Sequence, residues 1–89
     1  MRIRPDYAEA HNNLGNAFFG RGQLEKAMEH YRRALEINPG DTNTRNHLAV
    51  AHESLAQVLD AEGKKDEALQ HRREARQILS SVSEALSSR

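Results

Sequence analysis

Apolar residues along the chain return every three or four positions instead of alternating, and they do so in blocks. Leu14, Ala17 and Phe18 share one face of a helix at this spacing, and Ala27, Tyr31 and Ala34 do the same for a second. Gly20 and Gly22 lie between the two blocks and end the first helix, because glycine enters the left-handed conformation at low cost. Pro39 ends the second, since the residue before proline is pushed out of the helical region. Asp6, three residues before Glu9, reads as a capping pair for the first helix. Gly15 and Ala27 are small enough for two antiparallel backbones to approach, and Tyr31 fills the space they leave. The pattern predicts a regular helical hairpin over residues 6–40.

The next block is longer. Counting thirty-four residues on from Ala8 reaches Thr42, and Leu48-Ala49 then matches Leu14-Gly15. The closing loop comes late, because Glu62-Gly63 through Ala68 matches Arg21-Gly22 through Ala27 at a spacing of forty-one. A heptad, roughly Leu48 to Ser54, looks duplicated in the stretch from Leu55. Seven residues turn the apolar stripe by only about 20°, so a helix lengthens this way without rotating its packing face. Its partner lengthens too. Ala68, Ala75 and Val82 fall at one heptad position and Leu79 and Leu86 at another, with Arg72 as a polar exception. Residues 42–62 and 65–86 therefore read as one long antiparallel hairpin, each arm about 30 Å.

The blocks are copies of one unit. Ile3 and Pro5 recur thirty-four residues later as Ile37 and Pro39. Within that period, Leu14-Gly15, Phe18, Ala27, Tyr31, Ala34 and Pro39 stand where the tetratricopeptide repeat (TPR) family places its Leu-Gly, aromatic, Ala, aromatic, Ala and Pro. The first unit resembles that family over its whole length, with His11 departing from the tryptophan or tyrosine usual near the start. It is similar to the repeats of O-GlcNAc-transferase-like arrays. The resemblance implies an all-α fold, an antiparallel helix-turn-helix solenoid fragment of about four helices. In that frame residues 1–5 are the tail of a preceding repeat, 6–40 a regular repeat, and 41–89 an extended hairpin. Its serine-rich end serves as a capping extension.

Composition narrows the function. Thirteen Lys and Arg balance thirteen Asp and Glu, which argues against a nucleic-acid binder or a basic membrane-surface helix. There is no cysteine, so neither a disulfide framework nor a thiolate metal site is expected, and a cytoplasmic setting fits. Met1 to Pro5 lacks the apolar run of a signal peptide, and no stretch is long and apolar enough to span a bilayer. Ser/His/Asp order, paired carboxylates in an apolar setting and a phosphate-binding glycine loop are all missing from the pattern. No catalysis and no cofactor are expected.

The resemblance also implies where a partner would sit, since first helices of successive repeats line a groove for extended peptides. Asn13 falls where an asparagine ladder grips peptide backbone in O-GlcNAc-transferase-like arrays, with Asn16 and Asn12 beside it. An amide donates and accepts, so it pairs with peptide groups whatever the side chains. Solvated surface residues or inter-repeat hydrogen bonds are the competing explanation. In the second unit His47 matches the ladder in one register and Ser54 in the other. Chaperone-tail-binding repeats clamp a carboxylate with Lys and Arg, but Glu9 and Asn43 stand at those places here.

Other charged and ionisable side chains read as surface. His11, His30, His47, His52 and His71 form no i, i+4 pair, so no metal site is expected. His30 and His71 look like equivalent exposed positions, and His52 takes the place of Phe18. Arg32, Arg33, Arg72, Arg73 and Arg76 make a basic edge offset by Glu29, Glu36, Glu67 and Glu74 at helical spacing.

Solenoids generally need three or more repeats, and this chain has two and a stub. Two explanations compete: the chain is the carboxy-terminal piece of a longer array, or it completes its core by self-association as a homodimer or helix-swapped assembly. In either case Ile3, Leu14 and Phe18 form a face without a neighbour. Three readings follow: a module binding a protein or peptide, a self-associating unit, or a recruiting segment attached to an enzyme.

Overall fold

The computed structural model describes residues 5–87, with side chains over residues 7–81. Four helices follow one another: α1 (Pro5–Gly20), α2 (Leu24–Ile37), α3 (Thr42–Ala61) and α4 (Lys65–Ser87). Each packs mainly on the next in sequence, and α1 touches α3 only lightly. This is the nearest-neighbour layout of a helical solenoid, all-α as the periodicity implies. Ile3 and the rest of 1–4, the body of the expected preceding tail, lie outside the described residues. Asp6 sits inside α1 and not ahead of it, so it is not the residue before the helix that a cap requires.

Both hairpin turns are built alike. Gly22 and Gly63 have φ of 76° and 81°, the left-handed region where a side chain is strained. After α1, Gln23 N–H donates to Phe18 O at 2.9 Å and Gly22 N–H to Phe19 O at 3.0 Å. After α3, Lys64 N–H reaches Leu59 O at 2.8 Å and Gly63 N–H reaches Asp60 O at 3.0 Å. These are paired Schellman bonds, which satisfy carbonyls a helix end leaves open. Asp41 caps α3, accepting from the N–H groups of Asn43 and Thr44.

The turns settle the register. Gly22 to Gly63 is a step of forty-one, and the same step carries Leu24, which opens α2, to Lys65, which opens α4. It also carries the buried Ala8, Gly15, Ala27 and Ala34 to the buried Ala49, Ala56, Ala68 and Ala75. The second repeat proper therefore begins at Ala49, and residues 42–48 are a two-turn overhang at the start of α3. In α4 the matching overhang lies at the end, alongside it, where Arg45 donates to Ser81 Oγ at 3.0 Å. His52 is thus the counterpart of His11, and the expectation that it replaces Phe18 fails; Leu59 takes that place.

The core is alanine-rich because the backbones lie close. Ala27, Met28, Tyr31, Leu48 and Ala51 form its centre, with Phe18, Phe19, Leu35, Leu55 and Ile78 packed around. Two expected core positions are outside it. Leu14 is 45% exposed and Ala17 is exposed, because α1 meets its neighbours through Ala8, Gly15 and the phenylalanines. Leu79 is also largely exposed, and Arg72, the polar exception, pairs with Asp60 across the hairpin. The side chains of Val82 and Leu86 lie outside the described residues.

Candidate functional site

The first helices, α1 and α3, are joined by polar side chains. Asn12 Oδ1 lies 3.1 Å from His47 Nδ1 and 3.2 Å from Thr44 Oγ1. An amide oxygen only accepts, so His47 carries its proton on Nδ1 in this arrangement, and its other ring nitrogen is left as an acceptor when the ring is neutral. Thr44 is fully buried, and its hydroxyl also reaches Asp41 Oδ2 at 2.8 Å. The charged and closer acceptor holds the single hydroxyl proton more strongly. Tyr31 rises from α2 between these groups. Its hydroxyl donates to Asn16 Oδ1 at 2.6 Å, and its ring lies 5.6 Å from that of His47, tilted by 42°. Burial pushes the Tyr31 hydroxyl pKa above its ordinary value, which keeps the proton in that bond.

The four polar residues singled out from sequence thus occupy different situations. Asn12 and His47 are bonded to each other between repeats. Asn16 is exposed but has its oxygen engaged by Tyr31, leaving its two amide protons. Asn13 is exposed. In the register of the turns its counterpart is Ser54, and His47 stands two helical turns earlier. Of the proposed self-association residues, Leu14 is exposed and Phe18 half-buried.

The histidines are not the scattered surface residues their spacing implies. His11 and His30 meet across α1 and α2, Nδ1 to Nδ1, at 3.1 Å. His52 and His71 meet the same way across α3 and α4 at 2.9 Å. In each pair one ring nitrogen donates and the other accepts. His30 and His71 are half-buried and not exposed, because each covers its partner's ring. An i, i+4 search misses such pairs, which are nineteen residues apart and on two helices. The signal available was the step itself, since forty-one residues carry His11 to His52 and His30 to His71.

The surroundings of the two pairs differ. Phe18 stacks on His30 at 5.3 Å and 10°, with the Lys26 ammonium 5.6 Å above the Phe18 ring. At the second pair His52 is 2% exposed and its Nε2 lies 3.4 Å from Glu74 Oε2. Burial holds the His52 pKa below the ordinary imidazole value; Glu74 opposes this, while His71 and Arg32 push the same way. An open groove of about 490 Å³ adjoins it, with Leu35, Leu48 and Ile78 at its base and Arg32, Arg45 and Glu74 at its edge.

Two tetratricopeptide repeat descriptions match the chain, one over residues 8–41 and one over 49–79, together more than half of it. The chain belongs to the tetratricopeptide repeat family. The second match starts at Ala49, where the turns and the histidine pairs also place the repeat. Protein O-mannosyl-transferase TMTC2 of Homo sapiens is 43% identical over 47 residues, covering 53% of this chain and 6% of that protein. Small glutamine-rich tetratricopeptide repeat-containing protein 2 of Mycosarcoma maydis is 31% identical over 48 residues, covering 54% of this chain and 14% of that protein. The chain thus spans a small part of the length of these relatives, and no solved structure matches it. Repeats of this family are interaction modules, typically without catalysis, and the chain is a protein-interaction module in that general sense. No helix among the described residues is long and apolar enough to cross a membrane.

Proposed function

We propose that the chain holds an extended peptide segment of a partner protein along the face of α1 and α3, with Asn13 and Asn16 pairing with its backbone. The observation behind this reading is the bonded pairs Asn16–Tyr31 and Asn12–His47, with the buried Thr44 hydroxyl set against Asn12. It fixes amide and imidazole groups before a ligand arrives, which lowers the ordering cost of binding. Backbone pairing selects for extended conformation more than for sequence, as in the O-GlcNAc-transferase-like arrays the first repeat resembles. In this reading Asn12 and His47 position the face, and Asn13 and Asn16 contact the peptide.

Peptides selected from a displayed random library on the native chain supply the probe. Asn13→Ala is expected to weaken their binding roughly 5- to 10-fold by fluorescence anisotropy, the scale of one net hydrogen bond, with thermal stability unchanged. Asn16→Ala adds a further loss, together with a small drop in stability because it strands the Tyr31 hydroxyl. Equal affinity for native and Asn13→Ala chains would remove the amide ladder from the reading.

Exposed Leu14 supports a second reading, in which two copies meet through the outer side of α1, with Phe18 and Ile3 contributing. Light scattering from micromolar to millimolar protein then shows mass rising toward a dimer, and Leu14→Glu restores the monomer. A native chain that stays monomeric throughout sinks this reading. A recruiting segment within a longer enzyme is the third; its support is the match to a stretch of a protein named as a mannosyl-transferase.

A further inference from the structure

The second histidine pair differs from the first in what stands around it, and the difference points to a cation. One ligand atom from each of His52, His71 and Glu74 lies within 4.8 Å of the others. His71 and Glu74 are one turn apart on α4 and face His52 of α3. We propose that His52, His71 and Glu74 bind a zinc(II)-class metal ion, using one nitrogen of each imidazole and one carboxylate oxygen, with water in the fourth position.

Two imidazoles and a carboxylate are a ligand set that zinc takes in four-coordinate sites open to water. At metal–ligand distances of about 2.0–2.1 Å, tetrahedral ligand atoms stand roughly 3.3 Å apart. The Nδ1 atoms of His52 and His71, 2.9 Å apart, are slightly inside that separation, whereas Glu74 Oε2 approaches the other His52 nitrogen, Nε2, at 3.4 Å. A set with one atom from each residue spreads over as much as 4.8 Å. Ion binding therefore needs the half-buried His71 and Glu74 side chains to close from that spread onto a single nitrogen of the buried His52. Glu74, its side chain 43% exposed, lies on the entry path.

Nature's comparison lies in the same chain. The step of forty-one residues replaces Arg33 with Glu74, Lys26 with Glu67 and Phe18 with Leu59. The first pair thus has basic residues at those positions, Lys26 over the Phe18 ring that stacks on His30 and Arg33 paired with Glu29. At the second pair the corresponding positions carry two carboxylates and no stacking ring. A pairing that only packs helices together needs neither carboxylate, as the first pair demonstrates.

Chelator-treated chain is titrated with zinc chloride by calorimetry, with magnesium chloride as the hard-cation control, and thermal melts are run alongside. Saturation near one equivalent of zinc is expected, with a melting rise of several degrees at excess metal and no response to magnesium. Cobalt(II) should give the intense visible bands of four-coordinate geometry. His71→Ala and Glu74→Gln, chosen because His52 is buried and its removal endangers the fold, should each weaken zinc binding at least about 10-fold while circular dichroism stays native. His30→Ala should leave it unchanged. Absence of saturable uptake overturns the site, as does binding that His30→Ala weakens as much as His71→Ala. Uptake insensitive to both α4 substitutions also overturns it, since the ion would then be held elsewhere.

Discussion

Tyr31→Ala is expected to unfold the first repeat at ordinary temperature, with loss of most α1 and α2 helicity by circular dichroism. Tyr31 is 2% exposed and is the largest fully buried side chain among the described residues. It touches Gly15 on α1, donates to Asn16 and lies against His47 of the next repeat. Truncating a buried aromatic costs about 3–5 kcal/mol, from lost transfer energy and the cavity left behind. A chain of this size has a total stability of roughly 4–13 kcal/mol at typical values per residue. In a solenoid that total divides between repeats and their junction, and Tyr31 serves both the first repeat and the junction. The loss therefore rivals what holds the first repeat together. Tyr31→Phe keeps the ring and removes one hydrogen bond whose partner, exposed Asn16, recovers water; its cost is about 1 kcal/mol or less. Urea denaturation compares the two. A Tyr31→Ala chain with a midpoint close to that of Tyr31→Phe would show that the ring is not what joins the helices.

Much of this arrangement was legible in the residues because it is enforced locally. Gly22 and Gly63 mark turns that need positive φ, and small residues at Ala27 and Ala68 mark where helices touch, so hairpins, helix number and lengthened second hairpin follow from spacing. The register was less legible. Leu48-Ala49 mimics Leu14-Gly15 at a step of thirty-four, and a heptad shift conserves the apolar stripe, so periodicity alone cannot say at which end the extra turns lie. Turn bonds and buried alanines decide it, and they place the overhang before Ala49. Leu14 was misread because an amphipathic stripe records which side of a helix is apolar and not whether a neighbour covers it. The histidine pairs were missed for another reason: proximity across two helices depends on the turn length between them, which no single-helix spacing encodes. Asn12 and His47 show the same limit, since their bond spans two repeats.

The chain carries an internal comparison for the close approach of Gly15 to Tyr31. A Cβ added at Gly15 would stand 2.5 Å from Tyr31 Cε1, 2.7 Å from Cδ1 and 3.0 Å from Cζ. Those atoms belong to a buried ring held at both ends, by Asn16 at its hydroxyl and by packing at its base, so it cannot swing aside cheaply. Gly15→Ala sets two effects against each other. Alanine favours a helix interior over glycine by about 1 kcal/mol. Overpacking a filled core costs about 1–3 kcal/mol, and a contact this short belongs at the upper end. The clash should win, leaving a net loss of about 1–2 kcal/mol in urea denaturation. At the equivalent place in the second repeat the residue is Ala56, fully buried, and the residue forty-one after Tyr31 is Arg72, which turns to Asp60. Where no ring lies across the helix, the methyl group is tolerated. The sign of the substitution should therefore invert once the ring is gone: in a Tyr31→Leu chain, Gly15→Ala should be neutral or stabilising by up to about 1 kcal/mol. Ala56→Gly should destabilise by about 1 kcal/mol or more, since it loses helix propensity and a buried methyl together. A cycle of the four Gly15 and Tyr31 combinations measures the coupling directly. If Gly15→Ala lowers stability equally with tyrosine and with leucine at position 31, the contact with the ring is not what requires glycine there.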